Sequence, residues 1–138
     1  MRFLVMAMGT KEWEAAKPPK PEAFAAMQKY NEELAKAGIL LAAEGLAASS
    51  QSVRVKFSGD ESTVIDGPFA ETKEVIAGFT IIKVSSKEEA IEVVKRAPFF
   101  SPNGEAVVEI RKLMDIEDFG DMLGGAFTPN EEIAKVKF

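Results

Sequence analysis

The 138-residue chain contains no cysteine and no histidine. The first absence excludes disulfides, thiolate chemistry and cysteine-based zinc sites. The second removes the side chain most often used as a general base near neutral pH, and with it the commonest metal ligand. Catalysis, if there is any, must rest on carboxylates, Lys, Tyr or hydroxyls, and neither a metal nor a cofactor is expected. Basic clusters are missing too. The lysines are scattered among glutamates and the formal net charge is −5, so direct contact with nucleic acid is not expected. There is no long apolar run. The opening stretch from Phe3 to Met8 is far too short for a signal peptide or a membrane span, so the expectation is a cytoplasmic chain with no membrane contact.

What is present reads as one globular unit. Hydrophobic residues make up 46% and charged residues 28%, enough for a core and too apolar for wholesale disorder. Residues 1–114 read as a single domain. Residues 115–138, rich in glycine yet carrying Phe119, Met122, Leu123 and Phe127, read as a tail that docks on the domain or on a partner copy.

Arg2 to Met8 lacks polar alternation and predicts an inner strand. Gly9 to Lys20 reads as a loop, with Pro18, Pro19 and Pro21 delaying the next helix. It carries Trp13, the one tryptophan, which either lids the core or lines a pocket. Pro21 to Ala37 predicts an amphipathic helix with Ala23, Met27, Tyr30, Leu34 and Ala37 on one stripe, and Gly38 just past its end. Tyr30 and Asn31 lie on or beside that stripe, as a rim phenol and a solvated amide or as groups pointing into a cleft. Ile39 to Ala48 predicts a second strand, apolar except for Glu44. A carboxylate there is costly unless wet or paired, so Glu44 belongs at a strand end or a polar cleft. Val53–Phe57 and Ser62–Ile65 predict a hairpin across the turn Ser58-Gly59-Asp60-Glu61, with charged Arg54 and Lys56 suiting an edge.

The densest stretch is Asp66-Gly67-Pro68-Phe69-Ala70-Glu71-Thr72-Lys73-Glu74. Asp-Gly-Pro is turn chemistry. Phe69 is expected to re-anchor the chain in the core, while Glu71, Lys73 and Glu74 leave charge at what is either a solvated corner or a site-bearing rim loop. Val75 to Val84 predicts the longest strand, apolar on both faces. Ser86-Lys87-Glu88-Glu89 reads as a capping box opening a helix that Pro98 closes. Ala106 to Leu113 predicts the last strand, with Glu109 and Arg111 on one face.

Strand, helix, strand, hairpin, strand, helix, strand is the ferredoxin-like βαββαβ plan with an inserted β-hairpin, an α+β fold. Two helices cover one sheet face. The apolar second face then calls for another copy, and a homodimer is expected.

Several stretches carry a family resemblance: Lys29-Tyr30-Asn31-Glu32-Glu33-Leu34, Ala37-Gly38, Glu44-Gly45-Leu46, Asp66 through Glu74, and Ala77-Gly78-Phe79. Glu109-Ile110-Arg111 and Glu117-Asp118-Phe119-Gly120 add to it. The chain resembles the YCII-related, or DGPF-domain, proteins over roughly Met1 to Gly120. The resemblance implies a ferredoxin-like fold, a dimeric α/β barrel and a cleft near the Asp66 turn. It implies no settled activity. Related proteins use a His–Asp pair, and similar ones often carry a histidine just after Glu-Gly-Leu. Here that position is Ala47, so no His-dependent mechanism carries over. Similar proteins also occur beside extracytoplasmic-function sigma factors.

Three functions follow as expectations. The first is a dimeric module binding a small, unidentified molecule through Glu44, Asp66, Phe69, Lys73, Tyr30 and Arg111. The second is a histidine-independent enzyme with Asp66 or Glu44 as the catalytic base and Lys73 or Arg111 holding an anion. The third is a regulatory partner of a sigma factor, acting without touching DNA.

Overall fold

The computed structural model describes residues 1–71, 74–98, 105–125 and 128–136. Four strands form an antiparallel sheet: β1 (Arg2–Met8), β2 (Leu40–Gly45), β5 (Ile76–Lys83) and β6 (Val108–Lys112), in the order β2-β5-β1-β6. The two longest apolar strands are therefore the central ones, as a segment apolar on both faces requires. Helix α2 (Pro21–Lys36) joins β1 to β2, and α3 (Lys87–Lys95) joins β5 to β6. This is the ferredoxin-like order, and the fold is α+β.

The hairpin of β3 (Val53–Ser58) and β4 (Glu61–Asp66) corrects the expectation of an edge position. It forms a two-stranded sheet of its own, paired from Val53↔Asp66 to Ser58↔Glu61, and joins no strand of the main sheet. Short helix α1 (Lys11–Glu14) occupies the expected loop. Its N-terminus is capped by Thr10, whose hydroxyl accepts from the Trp13 N–H at 3.1 Å. Helix α4 (Ile116–Leu123) and the short α5 (Glu131–Ala134) follow β6. No helix among the described residues is long and apolar enough to cross a membrane.

The core lies between the sheet and α2 and α3. Phe3, Val5, Ile82 and Val84 point down from the sheet onto Leu34, Ala90 and Val93. Proline at the first position starts α2, and Gly38 at φ 73° lets the chain leave it. The capping of α3 differs from expectation by one residue. Ser86 accepts from the Glu89 N–H at 3.1 Å, but the Glu89 carboxylate reaches back to the Ser85 N–H at 2.7 Å. Those bonds from Ser85 hold the Glu89 carboxyl below its ordinary range.

Tyr30 is spent in this layer. Its hydroxyl donates to the Val93 carbonyl at 2.7 Å and ties α2 to α3. Burial pushes the phenol above its ordinary 10.0, with nearby Arg96 opposing. A raised folded-state value means that the neutral phenol stabilises the fold below pH 10 and that this stability is lost as pH rises through the folded value. Tyr30→Phe is expected to cost about 1 kcal/mol near neutral pH. Because Tyr30 is the one tyrosine, the variant should also lose the tyrosine-linked decline above pH 10. Urea unfolding at pH 8 and pH 10.5 checks this, and an unchanged pH slope in the variant would refute it.

Candidate functional site

One end of the sheet gathers three loops. The Gly9 N–H donates to Val75 at 2.6 Å, and the Leu46 N–H donates to Ala77 at 2.8 Å. The ends of β1 and β2 and the start of β5 thus converge. The 46–52 segment, the Asp66–Glu71 turn and α1 all meet there.

Their junction is a clamp centred on Ser49, which is 1% exposed. The Glu14 carboxylate of α1 accepts from the Ser49 N–H at 3.1 Å and also from the Ser49 hydroxyl. The same hydroxyl accepts from the Phe69 N–H at 3.0 Å. The Gly67 N–H donates to the Ser52 carbonyl at 2.8 Å. A side chain at Gly67 would not fit, because a Cβ there would lie 1.7 Å from the Ser49 carbonyl oxygen. Glycine in the Asp-Gly-Pro-Phe turn is therefore demanded by close backbone approach. Gly78 of β5 shows the same pressure more mildly, its Cβ position lying 2.9 Å from the Glu44 carbonyl oxygen.

Ser49→Ala would leave a half-buried Glu14 carboxylate oxygen and the Phe69 N–H without their shared partner. The expected loss is about 2–3 kcal/mol. Denaturant unfolding checks this, and a loss under about 0.5 kcal/mol, the range of ordinary surface substitutions, would refute it.

Strand registers define the face that α2 and α3 leave bare. Glu44, Phe79, Met6 and Glu109 lie in one row across it, and Ala42, Ile81, Leu4 and Arg111 lie in the next. Ile81 is buried, while Leu4, Met6 and Phe79 are half-buried and Glu44 is exposed. The two ends of a row are three strand spacings apart, about 14 Å. The face is thus an apolar strip with a carboxylate at each side.

The candidate residues separate on this frame. Glu44 sits on the open face at the loop end, and its carboxylate makes no hydrogen bond or ion pair among the described residues. Arg111 is on the same face at the far edge, its guanidinium 2.7 Å from Glu109. That pair is largely exposed and so contributes little to stability. Asp66 closes the hairpin ladder opposite Val53 and is exposed. Phe69 corrects the expectation of a core anchor. Its ring is half-buried and lies under the Arg54 guanidinium, 3.7 Å from the ring centroid. Tyr30 is turned to the helix layer, on the other side of the sheet. Lys73 lies outside the described residues. The Asn31 Oδ1, read as either solvated or turned to a cleft, is buried without a hydrogen-bond partner among the described residues, as is the Trp13 Nε1. No group of acidic side chains among the described residues could hold a metal ion. Ser49 and Glu14, which position the turn, carry no local signal: 35 residues separate them.

The model of the YCII-related domain matches residues 1–116. The chain belongs to the YCII-related family. This YCII-related chain is also 37% identical over 71 residues to an uncharacterized protein of Rhizobium meliloti (strain 1021), covering 51% of this chain and 54% of that protein. The chain thus spans about half the length of the curated relative it matches. Among solved structures it is similar to a 5-chloro-2-hydroxyhydroquinone dehydrochlorinase from Burkholderia phenoliruptrix AC1100 in complex with 2,5-dihydroxybenzoquinone. Identity is 17% and the TM-score 0.42, over 79% of the YCII-related chain and 91% of that chain.

Proposed function

We propose that this YCII-related chain is a small-molecule-binding module acting as a pair of copies, with the ligand seated on the open sheet face beside the Asp66–Glu71 turn. The observation that carries the reading is the row Glu44, Phe79, Met6, Glu109. Its centre offers apolar surface and its loop end offers an unengaged carboxylate. Such a strip suits a molecule with a flat apolar body and a cationic or hydrogen-bond-donating group turned to Glu44. The clamp at Ser49 holds the neighbouring turn rigid, which favours binding by limiting what must be ordered.

Pairing is supported by the sheet face that α2 and α3 leave bare, where Leu4, Met6 and Phe79 are only half-buried.

Thermal-shift measurements with a panel of aromatic amines and phenols test the binding reading. A ligand that raises the melting temperature of the wild type and fails to raise that of Glu44→Gln is the expected result. Equal shifts in both proteins, or amide chemical-shift changes confined to α2 and α3, would overturn it.

A further inference from the structure

We infer that Arg54, stacked on Phe69, anchors a second binding site, on the polar face of the β3–β4 hairpin, for a small organic carboxylate. The site uses none of the sheet-face residues and does not depend on the binding reading above.

The Arg54 guanidinium lies 3.7 Å from the centroid of the Phe69 ring. That contact engages only the flat face of the cation. The N–H groups of a guanidinium radiate in its plane, so stacking leaves them available. Among the described residues those of Arg54 make no ion pair and no hydrogen bond. The side chain is exposed, so they are open to a ligand.

Both members of the stack are tied down at one place. Ser52, two residues before Arg54, accepts from the Gly67 N–H at 2.8 Å. The Phe69 N–H donates to the buried Ser49 hydroxyl at 3.0 Å. A surface arginine ordinarily gives up much rotamer freedom when it binds. Here the ring and the clamped turn restrict it in advance, which lowers the cost of ordering.

Register gives the fork its surroundings. Lys56, Thr63 and Ile65 share the hairpin face of Arg54, whereas Asp66, opposite Val53, falls on the other face. Glu61 is on the Arg54 face but pairs with Ser58, four residues and about 13 Å along the strand. Asp60 lies in the turn beyond it. Glu71, two residues past Phe69, makes no ion pair among the described residues. The base of this face is therefore positive in a chain of net charge −5.

The neighbours of the fork select among anions. Ile65 stands directly opposite Arg54 and is 43% exposed, and the Phe69 ring lies beneath. Apolar surface thus adjoins the donors. A planar carboxylate matches the fork with two parallel hydrogen bonds, and its hydrocarbon body can cover Ile65. A hydrated inorganic anion gains nothing from that second contact. Lys56, about 7 Å along the strand, and Thr63 across from it offer an ammonium and a hydroxyl to a further polar substituent.

Benzoate is the probe, with benzamide and inorganic phosphate alongside. Each is titrated into the isotopically labelled full chain, and backbone amide and arginine Nε–H signals are followed by NMR. Benzoate is expected to shift the Arg54 Nε–H signal and the amides of Arg54, Lys56 and Ile65, whereas benzamide, its neutral isostere, is not. Arg54→Lys keeps the charge at an exposed position and removes the fork. It should weaken benzoate binding at least about tenfold. Phe69→Leu keeps the backbone bond to Ser49 and removes the ring, and it should weaken binding too. Unchanged affinity in either variant, with amide signals outside the hairpin and turn unmoved, overturns the stacked anchor. Phosphate binding as tight as benzoate binding overturns the carboxylate class. Benzoate shifts confined to Met6, Glu44 and Phe79 overturn this site and leave the sheet-face reading standing.

Discussion

Gly67→Ala is expected to lower stability by about 3–4 kcal/mol, near the upper end of what one methyl group can do. The added carbon would sit 1.7 Å from the Ser49 carbonyl oxygen, about half an ordinary contact distance. That oxygen belongs to backbone, so no side chain can swing aside. The turn would have to move, and the Phe69 N–H to Ser49 hydroxyl bond would go with it. The melting temperature should fall by on the order of 10–15 °C. Hydrogen exchange at the Gly67 and Phe69 amides should accelerate more than exchange in the central strands. A variant within about 0.5 kcal/mol of the wild type would show that the turn is not seated on Ser49.

Phe3→Ala should be at least as damaging, at about 3–5 kcal/mol. Phe3 is 2% exposed and packs in the cluster with Val5, Leu34, Ile82 and Val93. Its strand is central, bonded to β5 on one side and β6 on the other, so the cavity cannot collapse by moving an edge. Phe24→Ala is the control. Phe24 is 57% exposed on α2, and its removal should stay within about 0.5 kcal/mol. Equal losses at the two sites, measured by denaturant unfolding, would mean that the core has been misplaced.

The plan of the fold was legible because its signals are local. Proline before and glycine after α2 mark its ends, and β5 is apolar on both faces because it is interior. Alternation along β6 correctly put Glu109 and Arg111 together. The hairpin's ladder was legible for the same reason, but its detachment from the sheet was not, since alternation reports pairing and says nothing about what the pair rests on. Helix α4 was missed because Gly120, Gly124 and Gly125 mask its period. Its start was nevertheless written in Asp115 and Asp118, where the Asp118 carboxylate accepts from the Asp115 N–H at 2.8 Å.

The site was less legible than the fold. Glu44 at a wet strand end follows from the expense of burying a carboxylate. Tyr30 was drawn toward a cleft by its place on the stripe, yet the stripe faces the core and its hydroxyl found a helix carbonyl there. Phe69 was expected in the core on hydrophobicity alone, whereas its backbone carries the anchoring and its ring serves Arg54. The Glu14–Ser49 contact joins segments that no periodicity relates.

The placement of Trp13 has a practical consequence. It is the sole indole and the residue immediately before Glu14, on the helix whose carboxylate grips Ser49. Its fluorescence emission is therefore a local gauge of that grip. Release of the clamp should redden the emission while far-ultraviolet ellipticity, which senses α2 and α3, stays constant, so loosening at the loop end can be followed optically before the molecule unfolds.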